Sequence, residues 1–190
     1  MIVLLLAGCA ARVGVGGDID GMGAGPEGYR TTFERWTQEA VLYDGFATVL
    51  RVKATVLSPE MRKALTAEEA AWVRGGAEVE AGDETWTVVF AAASQLDDLG
   101  FGERGAWQAG LLVDGQRCAP VTLEESKVTA LTHRLYPTLT PWDRQWTGVF
   151  SGCALQGDVE LQVTSAHGAV EIGWQVVGDD VSVLKRAVVH

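Results

Sequence analysis

Phe46-Ala47-Thr48-Val49-Leu50-Arg51-Val52-Lys53-Ala54-Thr55-Val56-Leu57 is the stretch that decides the fold. In an extended chain, successive side chains point to opposite faces. Thr48, Leu50, Val52, Ala54 and Val56 then share one face, while Val49, Arg51, Lys53 and Thr55 share the other. One face is mostly apolar and the other carries the charges, which is the pattern of a half-buried strand. Immediately upstream, Tyr43-Asp44-Gly45 reads as a turn, and Phe33 to Leu42 as the preceding strand of the same hairpin.

The same rhythm recurs further along. Strand patterns run through Glu84–Ala92, Trp107–Val113, Val128–Leu131, Trp142–Phe150, Val159–Thr164 and Ala169–Val177. Turn-forming groups separate them, among them Asp114-Gly115, Pro137, Pro141, Gly157-Asp158 and His167-Gly168. Residues Gly178–His190 read as a weakly alternating final strand. Short strands at this spacing predict a mainly β chain, an antiparallel β-sandwich of immunoglobulin-like form, with a small β-barrel as the alternative. One segment breaks the pattern, a helical insertion near residues 58–75. Ser58-Pro59-Glu60 offers an N-cap followed by proline at the first helical position, Thr66-Ala67-Glu68-Glu69 has the form of a capping box, and Gly75-Gly76 ends the run. It reads as one bent helix or two short ones.

The N-terminus is of another kind. Met1-Ile2-Val3-Leu4-Leu5-Leu6-Ala7-Gly8-Cys9-Ala10 is an apolar run leading into Leu6-Ala7-Gly8-Cys9. This resembles the lipobox of bacterial lipoproteins, in which a bulky apolar residue and two small ones precede a cysteine. The resemblance implies a diacylglyceryl group on the Cys9 thiol, cleavage just before it, and acylation of the new N-terminus. Residues 1–8 would then be the remnant of a signal peptide. No Lys or Arg precedes Cys9, and a start codon further upstream would supply the basic residues such signals carry. Two or more acyl chains, at ~0.8 kcal/mol per buried methylene, hold a protein stably where one holds it marginally. Ala10 lacks the aspartate that tends to retain lipoproteins at the inner membrane, so the resemblance implies the outer membrane if the cell is Gram-negative.

Residues 9–28 read as a lipid-anchored tether. Gly14, Gly16, Gly17, Gly21, Gly23, Gly25 and Gly28 leave little to bury and much chain entropy to overcome. Such a Gly-rich coil reaches roughly 25 Å root-mean-square, enough to lift a domain clear of lipid headgroups. Residues 29–190 then form a single domain. The layout of residues 29–177 resembles envelope lipoproteins that carry a β-sandwich with a short helical insertion, and that likeness transfers no motif.

Of the three cysteines, lipidation of Cys9 leaves Cys118 and Cys153. Both lie beside turns, and in an oxidising compartment an even remainder points to a disulfide between them. The loop closed would be about 35 residues, worth roughly 3–4 kcal/mol on the chain-entropy model.

The formal net charge of −10 argues against nucleic acid as a partner, since phosphate binding needs clustered Lys and Arg. His133, His167 and His190 are far apart, with no metal-ligand spacing, so no metal or cofactor is expected. The paired carboxylates Asp83-Glu84, Asp97-Asp98, Glu124-Glu125 and Asp179-Asp180 are adjacent in sequence, and on a strand adjacent residues face opposite ways. They read as solvated loop charge, with a surface calcium ion at Asp97-Asp98 as the alternative. No nucleophile elbow or other catalytic motif is present.

Seven tryptophans stand out more than the charges. Most read as core. Trp142 and Trp146 are four residues apart on one expected strand, so both would emerge from the same face as a platform for sugar or peptide. The function expected is a non-catalytic envelope lipoprotein, held to a membrane through lipid on Cys9 and contacting an envelope protein or peptidoglycan. The alternative is an envelope hydrolase acting on cell-wall material, with a site assembled from distant residues.

Overall fold

The computed structural model describes residues 28–44, 46–72, 85–94, 107–165, 168–177, 180–182 and 188–189. The lipobox with Cys9, the Gly-rich tether up to residue 27, Gly75-Gly76, Asp83-Glu84, Asp97-Asp98, His167, Asp179 and His190 lie outside the described residues.

The hairpin read from the sequence is present as β1 (Thr37–Asp44) and β2 (Ala47–Val56), antiparallel, with Val41 opposite Arg51 and Glu39 opposite Lys53. It begins later than expected. Tyr29–Trp36 is a helix, α1, and Phe33–Trp36 therefore leave the strand. Tyr29, Thr32, Phe33 and Trp36 are all buried, at the i, i+3, i+4, i+7 spacing of one helical face.

Ser58 caps the next helix, α2 (Pro59–Trp72): its Oγ accepts from the Met61 N–H at 3.0 Å, with Pro59 at the first helical position. The helix is one continuous element through Thr66, so the second capping motif starts nothing. Met61, Leu65 and Glu68 form its buried stripe.

Beyond α2 come β3 (Thr85–Ala93), β4 (Trp107–Val113), β5 (Gln116–Arg117) and β6 (Ala119–Ser126). Asp114 and Gly115, with φ of 50° and 77°, make the two-residue turn between β4 and β5. The expected strand Val128–Leu131 does not form. Thr129 instead caps α3 (Ala130–Leu135), its hydroxyl accepting from Thr132 N–H and Thr132 Oγ1 accepting from Thr129 N–H. β7 (Arg144–Ser151), β8 (Gly157–Ser165), β9 (Gly168–Val177), β10 (Asp180–Ser182) and β11 (Val188–Val189) complete the described elements.

The strands make two antiparallel sheets packed as a sandwich, with no closed barrel among the described residues. The first has the order β1-β2-β3-β7-β6, the second β10-β9-β8-β4-β5, with β11 also paired to β9. Phe90 from β3, Trp146 from β7 and Trp107 from β4 pack ring to ring across the interior, the two tryptophan centroids 4.7 Å apart. Leu111, Leu161 and Ile172 extend this core along the second sheet. The Trp174 indole N–H donates to the Trp36 carbonyl at 3.1 Å, which ties β9 to the end of α1.

The chain passes between the sheets at Cys118, leaving β5 in the second and entering β6 in the first. It passes back after β7, through Cys153, to β8. These two crossings are brought together: the cysteine sulfurs lie at disulfide distance, with the Cα atoms 5.4 Å apart.

The first sheet is covered on its other side too. Lys53, Thr55, Val89, Ala91 and Gln145, which point away from the sandwich interior, are nonetheless buried. The segment from Tyr136 to Leu139 lies over them, and the Lys53 ammonium donates to the Thr138 carbonyl. Phe33 meets Tyr136 edge-on, and Arg134 of α3 pairs with the buried Glu68 of α2 at 2.9 Å. The charged face of β2 is thus half covered by protein, where the sequence alone reads as solvent-facing.

Candidate functional site

That cover stops short of the sheet's end. The β1–β2 turn, the end of β3 at Ser94 and the start of β7 all lie at one end of the first sheet, because β2–β3 and β3–β7 are both antiparallel. There the chain enters β7 through Thr140-Pro141-Trp142-Asp143, and beside it residues of β1, β2 and β3 line a hollow on the outer face.

Asp143 holds this corner. Its side chain is 1% exposed, and Oδ2 accepts from the Thr140 N–H at 2.6 Å while the Asp143 N–H donates back to the Thr140 carbonyl at 3.1 Å. The two bonds close a tight turn that leaves Trp142 at its apex. Two cations from β2 face the same carboxylate: Lys53 Nζ lies 3.5 Å from Oδ2 and Arg51 Nη2 3.6 Å from Oδ1. Arg51 and Lys53 are two residues apart on one strand, so their side chains leave the same face and can converge on one partner. Without a counter-ion, the buried Lys53 ammonium or a lone buried carboxylate would be costly.

Between this corner and the strands lies an open groove of about 480 Å³. That is in the range of roughly 300–1,000 Å³ typical of small-molecule sites. Val41 and Ala93 form its floor with Arg51, in one cross-strand row. Glu39, Tyr43, Thr48 and Trp142 also line the groove. Trp142 is 84% exposed and Tyr43 60%, so both present open ring faces. The Arg51 Nε, although buried, has no acceptor.

The two tryptophans expected to share a platform are separated. Trp146 is 3% exposed, stacked on Phe90 and packed on Trp107 inside the sandwich. Trp142 precedes the strand, which begins at Arg144, so strand alternation does not reach it. Trp36, Trp86 and Trp174 are core as well. Sequence reasoning missed Arg51, Glu39 and Tyr43 as groove residues. Arg51 and Lys53 are legible as the charged face of β2, but their convergence on Asp143, ninety residues away, has no local signal.

A second hollow of about 220 Å³ lies on the outer face of the second sheet, beside Asp114, Asp158 and Glu160. Asp114 is engaged in shaping that turn, accepting from the Asp158 N–H at 2.8 Å. Among the described residues, no three of His, Cys, Asp and Glu come together as a metal-holding group. His133 sits half-buried on α3, away from any such set.

The chain matches no family model, no curated protein and no solved structure.

Proposed function

We propose that the protein is a non-catalytic binding module of the bacterial cell envelope, held to a membrane by lipid on Cys9, that takes its ligand in the groove beside Trp142. The observation that carries the binding role is Trp142 itself. A large indole, 84% exposed at the apex of a turn pinned by a buried Asp143, borders a concave surface with a cation in its floor. A solvent-facing tryptophan on a rigid support is the arrangement that apolar ligand faces use for stacking.

Binding is favoured over hydrolysis by the state of the carboxylates. Glycoside cleavage uses two carboxyl groups about 5–10 Å apart across one bond. Among the described groove residues, Glu39 is exposed, while Asp143 is enclosed by Thr140, Lys53 and Arg51. The covalent bond between Cys118 and Cys153 belongs to the same proposal. It suits an oxidising compartment and would lock the two inter-sheet crossings together. Among the described residues no helix is long and apolar enough to cross a membrane, and the lipid would supply the attachment.

The test is the intact mass of the protein from the membrane fraction of a bacterium with lipoprotein processing. A chain beginning at Cys9 with added acyl mass is expected, and an unmodified soluble chain retaining Met1 would overturn the anchor. The groove is tested by sedimentation with delipidated envelope material: Trp142→Ala should lose the association that the unaltered protein shows.

A further inference from the structure

The geometry points to a carboxylate-bearing pyranose, a uronic-acid type of sugar, as the ligand class of the groove. This rests on the groove being the binding site and adds what it selects. The Arg51 side chain makes no hydrogen bond among the described residues. Its Nη2 is 3.6 Å from Asp143 Oδ1, beyond hydrogen-bond range, and its Nε has no acceptor. The nearer partners of Asp143, the Thr140 N–H at 2.6 Å and Lys53, both engage Oδ2, and Arg51 faces Oδ1 as a longer ion pair. The Arg51 side chain is one-third exposed in the groove floor, its long ion pair leaves guanidinium N–H donors without a hydrogen bond among the described residues, and two cations share one buried carboxylate. A planar fork of N–H donors matches a carboxylate in two-point contact.

The remaining walls identify what carries that carboxylate. Trp142 offers an indole face with no ring partner among the described residues, suited to the C–H face of a sugar ring. Glu39, Tyr43 and Thr48 also line the groove, residues whose side chains carry acceptors and donors for ring hydroxyls. An extended peptide adding to the edge of β1 would lie beside the groove rather than across its floor, where Val41, Arg51 and Ala93 form one cross-strand row. A densely charged polyanion is opposed by the net charge of −10. One carboxylate per bound unit, amid neutral hydroxyls, fits both the Arg51 guanidinium and the polar rim.

Calorimetric titration of the detergent-solubilised full-length protein tests this with three probes: methyl glucuronide, methyl glucoside and benzoate. The glucuronide is expected to bind at least tenfold more tightly than either of the others. Arg51→Gln should bring the two sugars to the same affinity, Arg51→Lys should leave an intermediate preference, and Trp142→Ala should weaken both sugars. A far-ultraviolet spectrum and unfolding midpoint for each variant separate lost binding from lost fold. Equal affinity of the unaltered protein for the two sugars, or tighter binding of benzoate, would overturn the inference while leaving the groove as a site. Failure of the glucuronide to bind would overturn it too, whereas envelope sedimentation reports on the groove reading independently.

Discussion

Lys53 and Asp143 meet beneath the groove, Nζ 3.5 Å from Oδ2, with side chains only 9% and 1% exposed. The contact joins the middle of β2 to the turn before β7, and the Lys53 ammonium also donates to the Thr138 carbonyl of the same covering segment. Removing one partner of a buried pair leaves the other charge uncompensated, at a cost of about 3–5 kcal/mol. Asp143→Asn keeps an acceptor for the Thr140 N–H but leaves the buried Lys53 ammonium without its counter-ion. It should lower the unfolding free energy by roughly 3 kcal/mol in urea titration. A change below about 0.5 kcal/mol, the usual size for an uninvolved surface position, would contradict the assigned role.

The two neighbouring tryptophans should respond in opposite ways. Trp146→Ala opens a cavity between Phe90 and Trp107, and large-to-small changes of this kind cost about 3–5 kcal/mol. Trp142→Ala removes an exposed ring and should shift stability by no more than about 0.5 kcal/mol. Thermal unfolding of the pair checks the contrast, and a large loss from Trp142→Ala would mean that its ring packs into the fold.

Joining Cys118 to Cys153 closes a loop of 35 residues. The chain-entropy model gives about 3–4 kcal/mol for such a loop. The Cys118→Ser/Cys153→Ser double variant should be destabilised by that amount, and the unaltered protein should gain the mass of two hydrogens on reduction. Equal midpoints for oxidised and reduced protein would show that the crossings are held by packing alone.

Tyr29 and Tyr136 predict an alkaline limit. Burial raises the Tyr29 phenol above its ordinary value of 10.0, with Tyr136 and Glu68 acting in the same direction, and its hydroxyl donates to the Leu135 carbonyl. Burial, then Glu69, raises Tyr136. Both folded values lie above the unfolded one, so this contribution is complete below about pH 10 and is lost as the pH rises further, where the unfolded chain ionises first. Urea midpoints should fall above about pH 10, and more gently in Tyr136→Phe, which has one phenol fewer. An unchanged slope in that variant would remove Tyr136 from the account.

The alternation in residues 46–57 made the hairpin and the sandwich legible, and Ser58-Pro59 marked the start of α2 because its capping chemistry is local. The helical spacing of Tyr29, Thr32, Phe33 and Trp36 was also present, but over eight residues it merges with the strand that follows. β6 was invisible: Ala119–Ser126 is an edge strand with every residue but Ser126 exposed, carrying Pro120 and Glu124-Glu125, so burial wrote no alternation into it. At the site, Trp142 was legible as a candidate by its residue type. Arg51 and Asp143 were not, since their relation depends on the covering segment that puts Asp143 over β2.

The most direct test of the groove as the binding site is the ¹⁵N–¹H spectrum of the labelled full-length protein titrated with soluble saccharide released from bacterial envelope. The account predicts perturbation of the Trp142 indole N–H and of the backbone at Val41, Arg51 and Asp143, with the buried Trp174 indole unmoved. Perturbations confined to the outer face of the second sheet, around Glu160 and Gly173, or to β6, with the Trp142 indole silent, would contradict it.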